Sequence, residues 1–375
     1  MKKNNTFRRA AALMAALSIT VSLAAPAFAD TYYIDYGDIT ITKNEDGSQT
    51  IEQGGEKWTD KAGEETVITT SNTVITTLES DLEGPAAEDS DFGPVVEDNY
   101  QPAQPEDAEK PEGADQPESA EEAKSADQHE SAEQAQPQQA APAAAPAGST
   151  PVNKKDDGFW GNTITVINNF VDKALNLTLK DVKIDVSDTG GQTGIPEKAA
   201  LSVQGKGNVE IELDGDNVLK SATNKAGLEK NESDSTGMLT LKDDNKDGSL
   251  RAEAGGGAAG IGGDSHKNTK NITITGGTVE AVGGSGGGAG IGGGYRGGGK
   301  NIIINGGAVT ATTTGGESGA GIGGGSGGDG GDIFIISGTV KATGGKYGAG
   351  IGGGENGNGS GITITGGSVT AFGGE

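Results

Sequence analysis

The residues whose spacing most resembles a chemical site form a short acidic loop. Asp243, Asn245 and Asp247 alternate with other residues and precede a glycine, which is the spacing of oxygen ligands in a D-x-[DN]-x-[DN]-G calcium loop. The twelfth position of such a loop needs a bidentate glutamate, but here it is Ala254, and Glu253 comes one residue early. A solvated turn explains the same residues without a metal. We therefore expect no cofactor, with calcium as the one possible ion.

Groups that could catalyse a reaction are few. After residue 29 the arginines are Arg251 and Arg296, and the histidines are His129 and His266. A glycoside hydrolase needs two converging carboxylates, and no such pair gathers on one face of the repeats. No Ser-His-Asp grouping is indicated either. The sequence thus predicts a protein that is not an enzyme, and a polysaccharide-degrading lyase or hydrolase is the alternative.

A repeat near the end of the chain must position these residues. Ala-Gly-Ile-Gly-Gly recurs with its isoleucine at Ile261, Ile291, Ile322 and Ile351, at steps of 30, 31 and 29 residues. Each step holds three short runs with alternating apolar residues, separated by glycines, which is typical of strands and not of helices. A fixed period of about 30 residues predicts a solenoid, here a three-sided parallel β-helix.

The earlier sequence fits the same architecture. Residues 154–255 contain less regular copies of the three runs, so the prediction is one all-β solenoid of about seven rungs over residues 151–375. Equivalent aliphatic residues should stack above one another and fill a narrow core. Residues 158–171, which include Phe159, Trp160 and Phe170, are predicted to cap the N-terminal end, because an exposed solenoid end must be covered.

The predicted outward faces supply candidate ligand contacts. In the second strand of each rung, stacking would align Lys183, Lys220, Arg251 and Lys341 in a mostly cationic row that Glu280 interrupts. Such a row could contact an anionic polysaccharide, although ordinary solvated strand residues are the competing interpretation.

A second candidate contact lies in the first strand of the rungs. Phe334 would project outward there with Ile303 and Ile336, forming a modest apolar patch. An aromatic ring in such a patch could stack on a sugar. The alternative is that a loop or the N-terminal hairpin covers it.

Four segments are predicted along the chain. Residues 1–29 have the basic start, apolar stretch and Ala-x-Ala site of a secretory signal peptide. Residues 30–79 form a small β segment with a hairpin, residues 80–150 form a disordered acidic linker rich in Pro, Ala and Glu, and residues 151–375 form the solenoid. Because the sequence stops where the next Ala-Gly-Ile strand is due, we expect a solenoid truncated at its C-terminal end.

Charge and composition restrict the partners. The formal net charge is −26, with 54 acidic against 28 basic residues. Nucleic acid is a poor partner for such a surface, since affinity there comes from cations that neutralise phosphate. The sequence has no cysteine, and no apolar run after the signal peptide is long enough to span a membrane. A secreted or surface-associated bacterial protein is therefore expected.

The repeat motifs also carry a resemblance. Ala226-Gly-Leu228, the repeated Gly-Ala-Gly-Ile-Gly-Gly-Gly, and Ile-Thr-Ile-Thr-Gly-Gly-Thr-Val followed by alanine resemble glycine-rich repeat surface proteins of Gram-positive gut bacteria, of the carbohydrate-binding-domain or right-handed β-helix type. The resemblance covers residues 162–375. It implies an exported, non-catalytic β-helix that can bind polysaccharide, and we predict a carbohydrate-binding or adhesive surface protein. The matching residues are structural, so the resemblance assigns no binding site.

Overall fold

A computed structural model describes residues 30–70, 150–190, 195–314 and 318–374. The predicted signal peptide and residues 80–149 of the predicted linker lie outside these ranges. All the described residues belong to one compact unit.

The described chain is built from β-strands and one short 3₁₀ helix, Ile34–Tyr36. In chain order the strands are β1 Asp30–Tyr33, β2 Ile39–Lys43, β3 Gln49–Gln53, β4 Glu56–Asp60, β5 Thr66–Thr69, β6 Ile164–Asn168, β7 Leu175–Lys180, β8 Lys183–Asp185, β9 Leu201–Gly205, β10 Val209–Asp214, β11 Asp216–Lys220, β12 Leu228–Glu229, β13 Leu239–Lys242, β14 Ser249–Glu253, β15 Ile261–Gly262, β16 Thr269–Ile274, β17 Thr278–Gly283, β18 Ile291–Gly292, β19 Gly299–Thr313, β20 Ile322–Gly323, β21 Gly330–Thr343, β22 Ile351–Gly352, β23 Gly359–Ser360, β24 Thr363–Ile364 and β25 Ser368–Phe372.

These strands wind into a three-sided parallel β-helix, as the repeat predicted. The first face runs through β7, β10, β13 and β16, the second through β8, β11, β14 and β17, and the third through β9, β12, β15, β18, β20 and β22. Strands β19 and β21 bend at a corner and serve the first two faces in succession. Within the described ranges the chain completes about six turns between β7 and β22.

The core consists of in-register aliphatic columns. On the third face Ile261, Ile291, Ile322 and Ile351 pair directly from turn to turn, which confirms the predicted ladder. The first three of these isoleucines are fully buried. Equivalent columns on the first face contain Leu177, Ile211, Leu241, Ile274, Ile304 and Ile335. Similar side chains stack without a change in volume from turn to turn, so the narrow interior is filled evenly.

Glycine is required at the residue that follows Ile261, Ile291 and Ile322 on the third face. Gly292 has φ of +144°, and a Cβ built on it would lie 1.8 Å from the carbonyl oxygen of Gly323. Gly262 and Gly323 have the same backbone conformation and equally close neighbours. Any side chain at these positions would therefore collide with the next turn.

The N-terminal segment continues the solenoid, and the cap prediction was wrong in its residues. Strands β2 and β3 form the predicted antiparallel hairpin and β4 extends it, but β2 also pairs in parallel with β6, and β5 pairs with β7. Strand β6, placed in the predicted cap, is an ordinary rung strand because it pairs with β9 as well. Apolar residues at Ile39 and Ile41 stack on Ile164 and Val166. The antiparallel strands therefore occupy the end position.

One part of the predicted cap does cover an end. Trp160 makes a parallel bridge to Ile184 at the start of the second face and is only 4% exposed. Its ring thus closes the apolar end of that face, while the hairpin closes the third.

Candidate functional site

The acidic loop has the geometry of a turn. Asp243 Oδ1 accepts a hydrogen bond of 2.7 Å from the backbone N–H of Lys246, whose φ is +67°. Asn245 and Asp247 are exposed. Among the described residues no three Asp, Glu, His or Cys side chains lie close enough to hold a metal ion. The loop thus has the geometry of a solvated Asx-type turn, and the expectation of no cofactor, with calcium as the one possible ion, stays a prediction.

The cationic row is not in the predicted register. Lys183 pairs with Val218, and Val218 pairs with Arg251. Lys220 instead lies between Asp185 and Glu253, two residues further along the strand. The prediction placed Lys220 in the wrong column.

Carboxylates also neutralise the middle of that row. Lys220 Nζ lies 3.8 Å from Asp185 and 4.2 Å from the centroid of the Phe159 ring. Arg251 pairs with Glu253 and with Glu280. Lys183 and Lys341 are exposed, but five strand spacings, roughly 24 Å, separate them. These side chains therefore do not form a continuous cationic surface.

The predicted apolar patch is smaller than expected. Phe334 is half-buried and pairs with Ile303 and Thr363 on its neighbours. Ile303 is fully buried and thus not available to a ligand. Ile336 falls at a register shift between β19 and β21 and is half-buried. Phe334 alone offers little area for a sugar ring.

A polar groove runs along the corner between the third and first faces. Its volume is about 270 Å³. The turns that precede β16, β19 and β21 form most of it, and it crosses successive turns of the solenoid. Its lining consists of Glu232, Asn268, Thr269, Arg296, Gly298, Lys300, Gly327, Gly328 and Asp329.

The floor of the groove is a column in which one member lacks a side chain. Glu232 donates its backbone N–H to the carbonyl of Asn268 at 2.8 Å, and the side chain of Asn268 accepts from Gly298 N–H at 2.8 Å. Asp329 occupies the next turn and accepts from the N–H of Asn358 at 2.8 Å. Since Gly298 carries no side chain between Asn268 and Asp329, the column has a gap, and this gap deepens the groove.

Charges of both signs line the groove, and each of its carboxylates accepts a hydrogen bond from another side chain or from the backbone. Lys270 Nζ lies 3.0 Å from Glu232 Oε1, and this hydrogen bond lowers the pKa of Glu232 although partial burial opposes the shift. Asp329 accepts the hydrogen bonds from Asn358. Arg296 and Lys300 are exposed, and neither forms an ion pair with a carboxylate in the described ranges. Arg296 and Lys300 thus present positive charge without an ion-pair partner, while the exposed Asp329 carboxylate keeps its negative charge in the same groove.

An aromatic cluster borders the groove. The Tyr295 and His266 rings meet edge to face with centroids 5.1 Å apart, and the Arg296 guanidinium lies 5.1 Å from the Tyr295 centroid. Tyr295, His266 and Arg296 occupy the fourth and fifth positions after the repeat isoleucine, on neighbouring turns. Sequence reasoning missed this cluster, but the signal was present: Tyr-Arg interrupts a run of glycines in that repeat.

A buried polar network lies beside the third face. Lys225 Nζ bridges Asp264 at 2.7 Å and Glu229 at 2.9 Å, and Asn231 donates to Asp264 at 3.1 Å. Burial and the Asp264 charge raise the pKa of Glu229. Burial opposes the charged form of Lys225, but its hydrogen bonds to Asp264 and Glu229 outweigh it and raise the pKa. Because both carboxylates are buried and bound to the same ammonium, the network acts as a structural clamp between turns.

The fold and its columns define a parallel β-helix protein. Its last repeats match the Beta helix repeat family, at residues 272–295, 302–326, 335–355 and 362–374. No curated protein and no solved structure is significantly similar to the chain. In the described ranges no helix has the length and apolarity needed to cross a membrane.

Proposed function

We propose that the chain is an exported, non-catalytic β-solenoid of the bacterial surface that binds polysaccharide along the groove between its third and first faces. The observation that carries the proposal is the alignment of the groove with the solenoid axis. Its column, from Glu232 through Asn268 and Gly298 to Asp329, covers three strand spacings, roughly 14 Å. A polymer that lies along the axis would contact several turns at once.

The lining suits a sugar polymer. Exposed amide, carboxylate and cationic groups at Asn268, Asp329 and Lys300 can exchange hydrogen bonds with hydroxyl groups, and Tyr295 with His266 adds aromatic surface at the border. Several weak contacts on one rigid scaffold give useful affinity because the turns fix their spacing.

The proposed location follows from the sequence. The first 29 residues have the pattern of a secretory signal peptide. The motifs Ala226-Gly-Leu228 and Gly-Ala-Gly-Ile-Gly-Gly-Gly resemble those of glycine-rich surface proteins. Both features support an exported protein that works outside the membrane.

The groove carboxylates support a binding role over catalysis. A general acid in a glycoside hydrolase needs a raised pKa, whereas the hydrogen bond from Lys270 lowers the pKa of Glu232. Asp329 is exposed and accepts bonds from Asn358. Neither side chain has the surroundings of a catalytic acid.

The test is co-sedimentation with insoluble cellulose, xylan and polygalacturonate, together with an assay for released reducing ends and unsaturated products. The proposal expects binding to at least one polymer without release of product. Product release would favour the lyase or hydrolase alternative, and absence of binding to every polymer would refute the proposal.

A matched pair of variants locates the binding. Gly327→Asn places a side chain in the groove at φ of +75°, and Asn356 occupies the equivalent position on the next turn at φ of +59°. The Gly63→Asn control has φ of +86° and nothing within 4 Å of the new Cβ. Only Gly327→Asn should weaken binding; equal weakening by both variants would place the ligand elsewhere.

A further inference from the structure

The charges of the groove indicate what kind of group it holds. Lys270 and Lys300 are direct partners on adjacent parallel strands, and like charges placed directly opposite one another repel. Glu232 neutralises Lys270 at 3.0 Å. Lys300 forms no such close ion pair in the described ranges, although its charge helps to lower the pKa of Glu232, and its neighbour on the following turn is Gly331. The position beside Lys300 is thus both positively charged and open.

Arg296 provides the second unpaired cation of the groove. Its backbone is fixed at φ of +58° by a hydrogen bond of 2.7 Å from its N–H to the carbonyl of Ser326. The Tyr295 ring, 5.1 Å away, supports the guanidinium. Gly327, beside Arg296 on the next turn, and Gly298 leave space that side chains would otherwise fill. A planar guanidinium in this position can bind two oxygens of one anion.

The repeats that form most of the groove carry much less net negative charge than the full chain, so they repel an anion less strongly. Residues 257–375 contain six lysines and arginines against seven aspartates and glutamates, whereas the full chain has a net charge of −26. Most of the excess negative charge therefore lies before the groove in the sequence. Salt at about 0.15 M screens charges that lie more than ~8 Å away.

We infer that Arg296 and Lys300 form an oxyanion subsite in the groove, which takes a carboxylate or sulfate group carried by a sugar residue of the bound polysaccharide. The inference rests on the proposed function and adds the charge of the ligand to it. Glu232, paired with Lys270, lines one side of the groove, the Tyr295 ring lies beside the guanidinium, and the missing side chains at Gly298 and Gly327 make the room.

The experiment measures the affinity of the full chain for three soluble oligosaccharides: oligogalacturonate, a sulfated heparin oligosaccharide and neutral xylo-oligosaccharide. Titration calorimetry is performed at low and at high salt. We expect binding of at least one of the two anionic ligands, weakened by salt, and weaker binding of the neutral one. Preference for carboxylate or for sulfate identifies which group the subsite accepts.

Variants separate this subsite from the groove as a whole. Arg296→Gln with Lys300→Gln should reduce affinity for the anionic ligand about tenfold or more, because each removes a charge-assisted contact. Lys341→Gln, an exposed cation on the second face, should leave it unchanged. Lys300→Arg alone should retain most of the affinity.

Two outcomes would overturn the inference and can be told apart. If the double variant binds the anionic ligand as tightly as the wild type, or if the neutral ligand binds as tightly as the anionic ones, the oxyanion subsite is refuted while polysaccharide binding stands. If no soluble ligand binds and the insoluble polymers also fail, the proposed function itself is refuted. Thermal unfolding of each variant confirms that the fold is retained.

Discussion

Lys230 donates from Nζ to both the carbonyl and the hydroxyl oxygen of Ser235, at 3.2 Å each, in the fully buried interior of the solenoid. Burial, with a smaller contribution from the nearby Lys270 ammonium, lowers the pKa of Lys230 from 10.5 to about 8. The folded chain therefore holds this proton less tightly than the unfolded chain does.

The lowered pKa of Lys230 makes the stability of the protein depend on pH. Between pH of about 8 and about 10.5 the unfolded state binds more protons at Lys230, so the free energy of unfolding should rise with pH across this window. Below it the cost of burying the charge is constant, at about 3 kcal/mol for such a shift. Lys230→Met removes this cost, but it also removes the two hydrogen bonds to the buried Ser235, so it should stabilise the protein at neutral pH by less than this amount.

Urea unfolding near pH ~7 and ~10 measures the effect. The stabilising difference between Lys230→Met and the wild type should shrink at the higher pH, while the exposed Lys206→Met should show no such trend. A difference that does not change with pH would mean that Lys230 is not buried as a charge.

The aliphatic columns predict a local effect of core truncation. Ile322 is fully buried between Ile291 and Ile351, so Ile322→Ala should cost about 2 to 5 kcal/mol. Thr310→Ala, on the outward side of the second face, should cost under about 1 kcal/mol. Denaturant unfolding compares the two, and comparable losses would contradict the register of the third face.

The steric demand for glycine gives a further test. Gly292→Ala places a Cβ against the carbonyl oxygen of Gly323, in addition to the backbone strain of φ +144°. Gly55→Ala has φ of +86° with nothing within 4 Å, so it carries strain without the collision. We expect Gly292→Ala to lower the free energy of unfolding by about 3 kcal/mol or more and Gly55→Ala by about 1 to 2 kcal/mol. Similar losses would show that the turns can move apart.

The sequence predicted the columns but not the register of every strand. The third-face ladder was predictable because Ile261, Ile291 and Ile322 stand in identical motifs. On the second face, the predicted row of Lys183, Lys220 and Arg251 aligns Val182 with Leu219 and Leu250, and the apolar alternation of that alignment is equally regular. In the structure Ile184 pairs with Leu219, which in turn pairs with Ala252. A shift of two residues keeps every side chain on the same face, so alternation cannot detect it.

A buried amide occupies an inward position in that register. Asn217 pairs with Leu250 in the core column and is 1% exposed; its Oδ1 accepts from Val182 N–H at 2.9 Å, and its Nδ2 donates to the carbonyl of Ser249 at 3.1 Å. Hydropathy predicts an apolar residue there. The amide is tolerated because it satisfies backbone groups where the corner bends.

The groove was beyond sequence reasoning for a different reason. It depends on a side chain that is absent, at Gly298, and on turns that place Arg296 beside Lys300. Glycine in a glycine-rich repeat carries no distinguishing signal, and the other residues that line the groove, Glu232, Asn268 and Asp329, lie on different turns. The outward cations were visible in the sequence, but the pairing of Arg251 with Glu253 and Glu280 required the register.

The N-terminal strands give the last prediction. Because β2 covers β6 and β5 covers β7, a chain that begins at Pro151 would expose the edges of both strands and the apolar column that contains Ile164. Exposed parallel edges pair with other chains, so this truncation should melt at a lower temperature and aggregate. A chain that lacks only residues 90–139 retains β1 to β5 and should melt close to the full-length protein. Differential scanning calorimetry with light scattering compares the three. If the chain beginning at Pro151 melts as the full-length protein does, the N-terminal strands do not stabilise the solenoid.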